Sequence, residues 1–365
     1  MKNMPLVSVV MSVYNTKIMY LKRALDSVIT QTYRNFEFII IDDASDKWCA
    51  DFLQEYCTDI GQRYEDITIK IFRNEKNIGL TASLNRALRH VHGTYTARMD
   101  ADDICHPLRL ERQIKYLETH RDINVLACSA YVYELGGKDS FTGVHRRFEQ
   151  ERVRVRLSMS NIEFPHPTVV FRNEFLQKNG LDYDESIYKA QDYNLWTRCI
   201  EKGKIDCLQE ILLVLRIHKE RISTDTNGQE QYAGITKVRC LKRLLPKATK
   251  RQEYLYMHMR DMRLVGDAEE NLELIRALVT ENDKKLVYNK TVYRQEIFFW
   301  WLRKCMYKEN RVIGRKILYN SFVYKNIAII FFEQFCRYLL DKGYGRIFQH
   351  KWKRKIISEN WKEWI

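Results

Sequence analysis

Residues 6–13 read Leu-Val-Ser-Val-Val-Met-Ser-Val, an almost unbroken run of apolar and β-branched side chains. A strand without polar alternation must be covered on both faces, as happens in a parallel sheet flanked by helices. The pattern then repeats. A helical spacing puts Leu21, Leu25, Val28 and Ile29 on one face, and a second apolar strand at 36–41 ends in Asp42-Asp43-Ala44-Ser45. A helix over 46–64, a strand over 67–72, a helix over 81–91 and a strand over 95–99 follow, with Leu80, Leu84, Leu88 and Val91 spaced as a buried face. Strands alternating with helices predict right-handed crossovers and an α/β fold with a mostly parallel, Rossmann-like sheet.

The strand over 95–99 runs into Asp100-Ala101-Asp102-Asp103, and Pro107 is expected to open the next helix. These acids sit at the carboxyl end of a strand, where open α/β sheets bind their ligands. Two carboxylates ~5 Å apart repel by about 3 kcal/mol at an effective dielectric of ~20. Either one of them takes up a proton or a cation lies between them. In an extended chain Asp100 and Asp102 point the same way, which suits a hard divalent ion, Mn2+ or Mg2+, completed by water and phosphate oxygens. The other reading is a solvated acidic turn that caps the following helix, and it fits Asp103 best.

With 365 residues and 45% hydrophobic content, the chain can bury two cores. The run at 6–13 is too short for a secretory leader and is followed by polar Tyr14-Asn15, and no window approaches the ~18 apolar residues of a membrane span. Nine cysteines without a C-x-x-C pair argue for free thiols and against a zinc site. A cytoplasmic protein is expected. The net charge of +14 is unevenly distributed: residues 1–225 hold 32 basic and 32 acidic side chains, and residues 226–365 hold 29 and 15. That shift marks a domain boundary near the polar segment 223–228.

A nucleotide-binding fold is implied, but a G-x-G-x-x-G turn is absent after the first strand, where the chain has Ser12-Val13-Tyr14-Asn15-Thr16. Without backbone N–H groups from a glycine loop, a diphosphate needs another neutralising device, and a metal at Asp100 and Asp102 would supply it. The 6–15 run, Ile41-Asp42-Asp43-Ala44-Ser45, Asn77-Ile78-Gly79-Leu80, Asn85 and Arg98-Met99-Asp100-Ala101-Asp102-Asp103 together resemble the family 2 glycosyltransferases of the GT-A fold, the inverting type of bacterial surface-polysaccharide synthesis. The resemblance covers about residues 5–225. It implies transfer of one sugar from a nucleotide-sugar, commonly a UDP-sugar, with a divalent cation, Mn2+ or Mg2+.

The resemblance also implies roles residue by residue. Tyr14 would lie against the nucleobase, Asp43 would accept its imide N–H, and Asn77 and Gly79 would shape the loop beside it. Asp102 would be the chief metal ligand, with Asp100 the other acid of the D-x-D pair, touching nucleotide-sugar and metal. His166, in Phe164-Pro165-His166-Pro167-Thr168, matches the family's His-Pro-Thr segment and would meet an acceptor hydroxyl or serve packing. Asp192 would be the general base, worth roughly 10²–10⁴-fold, or the N-cap of its helix. Gln191 stands where the family usually has Glu, which removes a like charge from beside Asp192. In Leu213-Val214-Leu215-Arg216-Ile217-His218, Arg216 or His218 would reach the diphosphate or the metal. Gly136-Gly137 suggests a loop over the acceptor.

The expected layout is thus a GT-A catalytic domain over 1–225, its nucleotide-sugar half about 1–104 and acceptor half about 105–225, followed by a basic, aromatic-rich helical domain over 226–365. Phe298-Phe299-Trp300-Trp301 and later aromatics among basic residues suit either an anionic membrane surface at the inner face of the plasma membrane or a helical core. No nucleic-acid module is recognisable. The acceptor implied is a glycan or lipid-linked glycan. Processive synthases of the family carry Gln-x-x-Arg-Trp and spanning helices, both missing here, which favours single transfer. The alternative class is a non-catalytic glycan- or membrane-binding adaptor on the same fold.

Overall fold

The computed structural model describes residues 4–134, 140–142, 149–161, 165–218, 226–261 and 263–307. The segment at Gly136-Gly137, the predicted boundary over 223–225 and the aromatics beyond residue 307 lie outside the described residues. The chain divides into two compact units, one of residues up to 145 with 163–232, the other of 146–162 with the chain from 233.

The first unit opens as the periodicity predicts: β1 (Val7–Val13), α1 (Ile18–Ile29), β2 (Phe36–Asp42), α2 (Lys47–Arg63), β3 (Thr68–Arg73), α3 (Gly79–Leu88) and β4 (Tyr95–Asp100). These strands pair in parallel in the order β3-β2-β1-β4. Both sheet faces are covered. Val7, Val9, Met11 and Val13 pack on one face with Phe36, Phe38, Ile40 and residues of α1 and α2, while Val10, Ile39 and Ile41 meet Ala87 of α3 on the other.

Parallel order does not run through the whole sheet. After β4 come β5 (Ile104–Cys105), α4 (Arg109–Thr119), β6 (Ile123–Glu134), β7 (Ser140–Thr142), α5 (Gln150–Met159), β8 (Val170–Arg172), α6 (Asn173–Asn179), α7 (Gln191–Lys202) and β9 (Lys204–Ile217). The nine-stranded mixed sheet continues β4-β8-β6-β9-β5, with β7 beside β6. Here β8 is antiparallel to β4 and β6, and β5 to β9, while β6 and β9 are parallel. Alternation in sequence fixes direction only for consecutive strand–helix–strand units. The strand β8 returns from the α5 excursion and has no such crossover to orient it.

The second unit joins α5 to α8 (Thr226–Leu244), which starts in the first unit, and to α9 (Lys250–Met257), α10 (Ala268–Lys285) and α11 (Lys290–Met306). Val155 and Met159 of α5 are core residues there with Leu241, Tyr256, Leu278 and Phe298. Glu296, fully buried, accepts from Arg152 at 2.5 Å and Arg156 at 2.9 Å. Capping boxes at Thr249–Gln252 and Asp267–Glu270 start α9 and α10. Among the aromatics read from sequence as core or membrane contacts, Phe298 and Trp301 are buried, and the Trp300 ring lies under the guanidinium groups of Arg260 and Arg303. Among the described residues no helix is long and apolar enough to cross a membrane.

Candidate active site

The strand register sets Asp100 beside Ser12 and Ser12 beside Ile41, so the carboxyl ends of β4, β1 and β2 lie level. Asp100, Asp102 and Asp103 each offer a carboxylate oxygen within 4.8 Å of the others. Each acid has its own partner. Asp100 pairs with the guanidinium of Arg98, which is 2% exposed. The Oδ2 atom of Asp102 lies 2.8 Å from Nε2 of His218, whose ring stacks 5.2 Å from that of Tyr20. Asp103, fully buried, accepts the Arg216 N–H at 2.9 Å, and the Arg216 side chain donates to the Asp102 carbonyl at 3.1 Å.

Asp103 therefore fastens the end of β9 and does not cap the next helix. The short strand β5, paired with β9, intervenes, and α4 begins at Arg109 after a turn that contains Pro107. Leu108 is the N-cap of α4 and no side chain caps it; in the turn before it the His106 Nδ1 accepts the Leu108 N–H at 3.1 Å. A hard divalent ion fits this donor set: clustered carboxylates beside a His218 ring whose buried Nδ1 has no hydrogen-bond partner.

At the end of β1 Tyr14 is 51% exposed. Asp43, 2% exposed, is gripped by the loop before α3. Its Oδ1 accepts from Asn74 at 2.6 Å and from the Ile78 N–H at 2.9 Å, and its Oδ2 accepts the Gly79 N–H at 2.9 Å. Gly79 has φ +86°, a conformation that favours glycine. Asn77 is exposed on the same loop, whereas Asn74, at the end of β3, is the buried asparagine that meets Asp43. Asp42 is bound to Arg73 and the Ser45 N–H, a bracing role.

His166 opens a 3-10 turn, His166–Thr168, which is held beside β4 by the Arg98 N–H bond to the Val169 carbonyl at 2.9 Å. Its Nε2 lies 2.6 Å from the Tyr183 hydroxyl, and its ring meets Trp196 edge-on at 5.7 Å. Burial and the nearby Arg98 charge hold the imidazole well below its usual pKa, so it stays neutral. Burial pushes the Tyr183 phenol up, with smaller effects from Arg98, which opposes it, and from Asp192, Cys199 and Asp100. Asp192 is the second residue of α7, and its Oδ1 accepts the Tyr193 N–H at 2.7 Å. The residue at the N-cap is Ala190, held at φ +53°; a left-handed alanine is strained, and such strain gathers at functional sites.

The structure thus brings together Asp100, Asp102, Asp103 and His218 at one point and His166, Tyr183 and the end of α7 at another, with the charge of Arg98 acting on both His166 and Tyr183. Sequence reasoning missed Asn74, Arg98 and Tyr183. Asn74 alone carried a readable signal, an amide side chain ending a strand one position after Arg73.

A mixed α/β sheet flanked by helices, with clustered acids at the end of a strand, describes the GT-A class of sugar transferases. The family model for glycosyl transferase family 2 matches residues 8–179. An uncharacterized glycosyltransferase of Methanocaldococcus jannaschii is 37% identical over 244 residues, 64% of this chain and 78% of that protein. The putative glycosyltransferase EpsE of Bacillus subtilis is 31% identical over 204 residues (56% and 69%), and the O-antigen biosynthesis glycosyltransferase WbnJ of Escherichia coli 30% over 219 (59% and 81%). Among solved structures, S. aureus TarS 1–349 with UDP-GlcNAc superposes with a TM-score of 0.52 at 15% identity, covering 88% of this chain and 78% of that one. The mannosyltransferase PcManGT of Pyrobaculum calidifontis, with GDP-Man and Mn2+, gives 0.51 at 15% identity, covering 91% and 88%. This chain belongs to glycosyl transferase family 2, and it is a glycosyltransferase.

Proposed function

We propose that the protein is a metal-dependent inverting transferase that moves one sugar from a nucleotide-sugar to a hydroxyl of a glycan or lipid-linked glycan. In this reading Tyr14 lies against the nucleobase, Asp43 faces its imide edge, and Asn77 and Gly79 border it. Asp100 and Asp102, with His218, hold Mn2+ or Mg2+, which when bound offsets charge on the departing diphosphate. Asp192 removes the proton from the acceptor hydroxyl. That oxygen forms its bond to the anomeric carbon as the carbon–oxygen bond to the nucleoside diphosphate breaks on the opposite side. His166, neutral, orients the acceptor through its ring nitrogens.

The observation that supports this reading is the cluster at the carboxyl end of β4, where Asp100, Asp102 and Asp103 offer carboxylate oxygens within 4.8 Å of one another and Asp102 lies 2.8 Å from His218 Nε2. UDP is the first nucleotide to try, because TarS is solved with UDP-GlcNAc; PcManGT, with GDP-Man, makes GDP the second. The relatives named for amylovoran biosynthesis, in Erwinia amylovora, and for O-antigen biosynthesis favour a glycan intermediate as acceptor. The excess positive charge after residue 226 would draw the enzyme to an anionic leaflet at the cytoplasmic face.

The test is nucleoside diphosphate release from UDP-GlcNAc, UDP-glucose, UDP-galactose and GDP-mannose, with Mn2+ and with chelator. One donor should turn over only with metal, and Asp192→Asn should slow it by roughly 10²–10⁴-fold. Equal rates in both enzymes, or indifference to chelator, would overturn the reading.

A further inference from the structure

We propose that Asn85 is a positioning residue for the acceptor side of the site: from α3 it holds Tyr183, and with it the segment that leads to Asp192. The inference rests on Asp192 being the acceptor base.

Residues 181–190 form no helix or strand, so no ladder of their own fixes their path. Beyond a local turn, in which the Ile187 N–H donates to the Asp184 carbonyl at 2.9 Å and Ser186 donates to the Asp184 carboxylate, the segment is held from α3. Asn85, 6% exposed, copies the backbone pairing of a neighbouring strand: its Oδ1 accepts the Tyr183 N–H at 2.9 Å while its Nδ2 donates to the Tyr183 carbonyl at 2.7 Å. The same Nδ2 donates to Oε1 of Glu185 at 3.0 Å. One turn earlier on the same helix face, the Thr81 hydroxyl donates to the Ile187 carbonyl at 3.1 Å. Two side chains of one helix therefore hold the segment at residues 183, 185 and 187.

Each end of that segment meets the site. The Tyr183 hydroxyl is 2.6 Å from His166 Nε2, and at the other end the chain turns through left-handed Ala190 into Asp192. The opposite end of α3 starts at Gly79, whose N–H is bound by Asp43. A single ten-residue helix is thus fastened to the nucleotide side at its start and to the acceptor side along its length. The Asn85 amide makes all three of these hydrogen bonds to two residues of one irregular segment.

Two measurements on the full chain test this. In hydrogen exchange, Asn85→Ala should speed exchange of amides 183–192 at least tenfold and leave β1 and β4 unchanged; Thr81→Val, which removes one bond, should act in the same direction more weakly. In the release assay, with the donor from the four above that wild type turns over, Asn85→Ala should cut kcat about tenfold with donor KM within threefold. In an Asp192→Asn background the same change should cost less than twofold, because residues acting as a unit are not additive. Unchanged exchange at 183–192 in both variants, exchange raised throughout, or an equal kcat loss in both backgrounds would overturn the proposal. An Asp192→Asn enzyme as fast as wild type would instead overturn the base reading, and the exchange data would then decide the clamp separately.

Discussion

Each aspartate of the cluster is held by a different partner: Arg98 for Asp100, His218 for Asp102 and the Arg216 N–H for Asp103. Three adjacent acids persist because none faces another without a compensating donor. Asp103, buried and engaged by backbone, is the least able to leave its partner for an ion. Asp102 is partly exposed beside His218, whose ring carries a second nitrogen. Asp102→Asn is therefore expected to weaken Mn2+ binding at least tenfold in titration calorimetry with UDP present, while Asp103→Asn should chiefly lower the melting temperature by loosening β9. Equal Mn2+ affinity in Asp102→Asn and wild type would remove that residue from the metal site. The acids themselves were legible from their spacing. The burial of Arg98 was not, because an arginine in a strand carries no marker in the sequence for how deeply its side chain is buried.

At the level of elements, the parallel half of the sheet could be read almost residue by residue, since apolar runs at 7–13 and 36–42 leave a strand no exposed face. The helix α3 was legible as a helix but not in its orientation. Leu80, Leu84, Leu88 and Val91 were expected as its buried stripe, yet of these only Leu84 is buried, and Thr81, Ser83 and Asn85 are buried with it. The reason is that α3 has two neighbours, the sheet and the segment at 183–187, and the second is met through hydrogen bonds that a hydrophobic count ignores. Its start depends on Gly79 at φ +86°, where an added Cβ would meet nothing within 4 Å. Gly79→Ala should consequently lose stability through backbone strain alone, about 1–2 kcal/mol, seen as a lower urea midpoint at unchanged slope. A loss well above that range would mean that the loop relieves the backbone strain by changing its path and releasing Asp43.

Over the whole molecule, charge located the change in composition but not the boundary of the folded units. Net charge is zero up to residue 225 and +14 beyond it, and a cut there would seem to isolate a catalytic domain. The helix α5 groups with the later helices instead. It lies within the stretch that the family model matches, yet its Val155 and Met159 are fully buried among side chains of α8–α11, and Arg152 and Arg156 both donate to the fully buried Glu296 of α11. Periodicity could not have shown this, because the partners of α5 follow it by about 80 to 150 residues and an alternation of elements says nothing about which helices share a core. A chain ending at residue 225 would expose those two apolar side chains and leave two arginines without the carboxylate that binds them. Burying a side chain of that size stabilises by about 1.5–3 kcal/mol, a large part of the 5–15 kcal/mol that holds a typical domain together. The fragment 1–225 is therefore expected to aggregate or to lose near-UV circular dichroism on expression, and a fragment ending at residue 307 to remain folded. Replacing Val155 and Met159 by Ser and Gln in the 1–225 fragment should recover part of its solubility. A soluble, cooperatively melting 1–225 fragment without those changes would show that α5 can fold against the sheet unit alone.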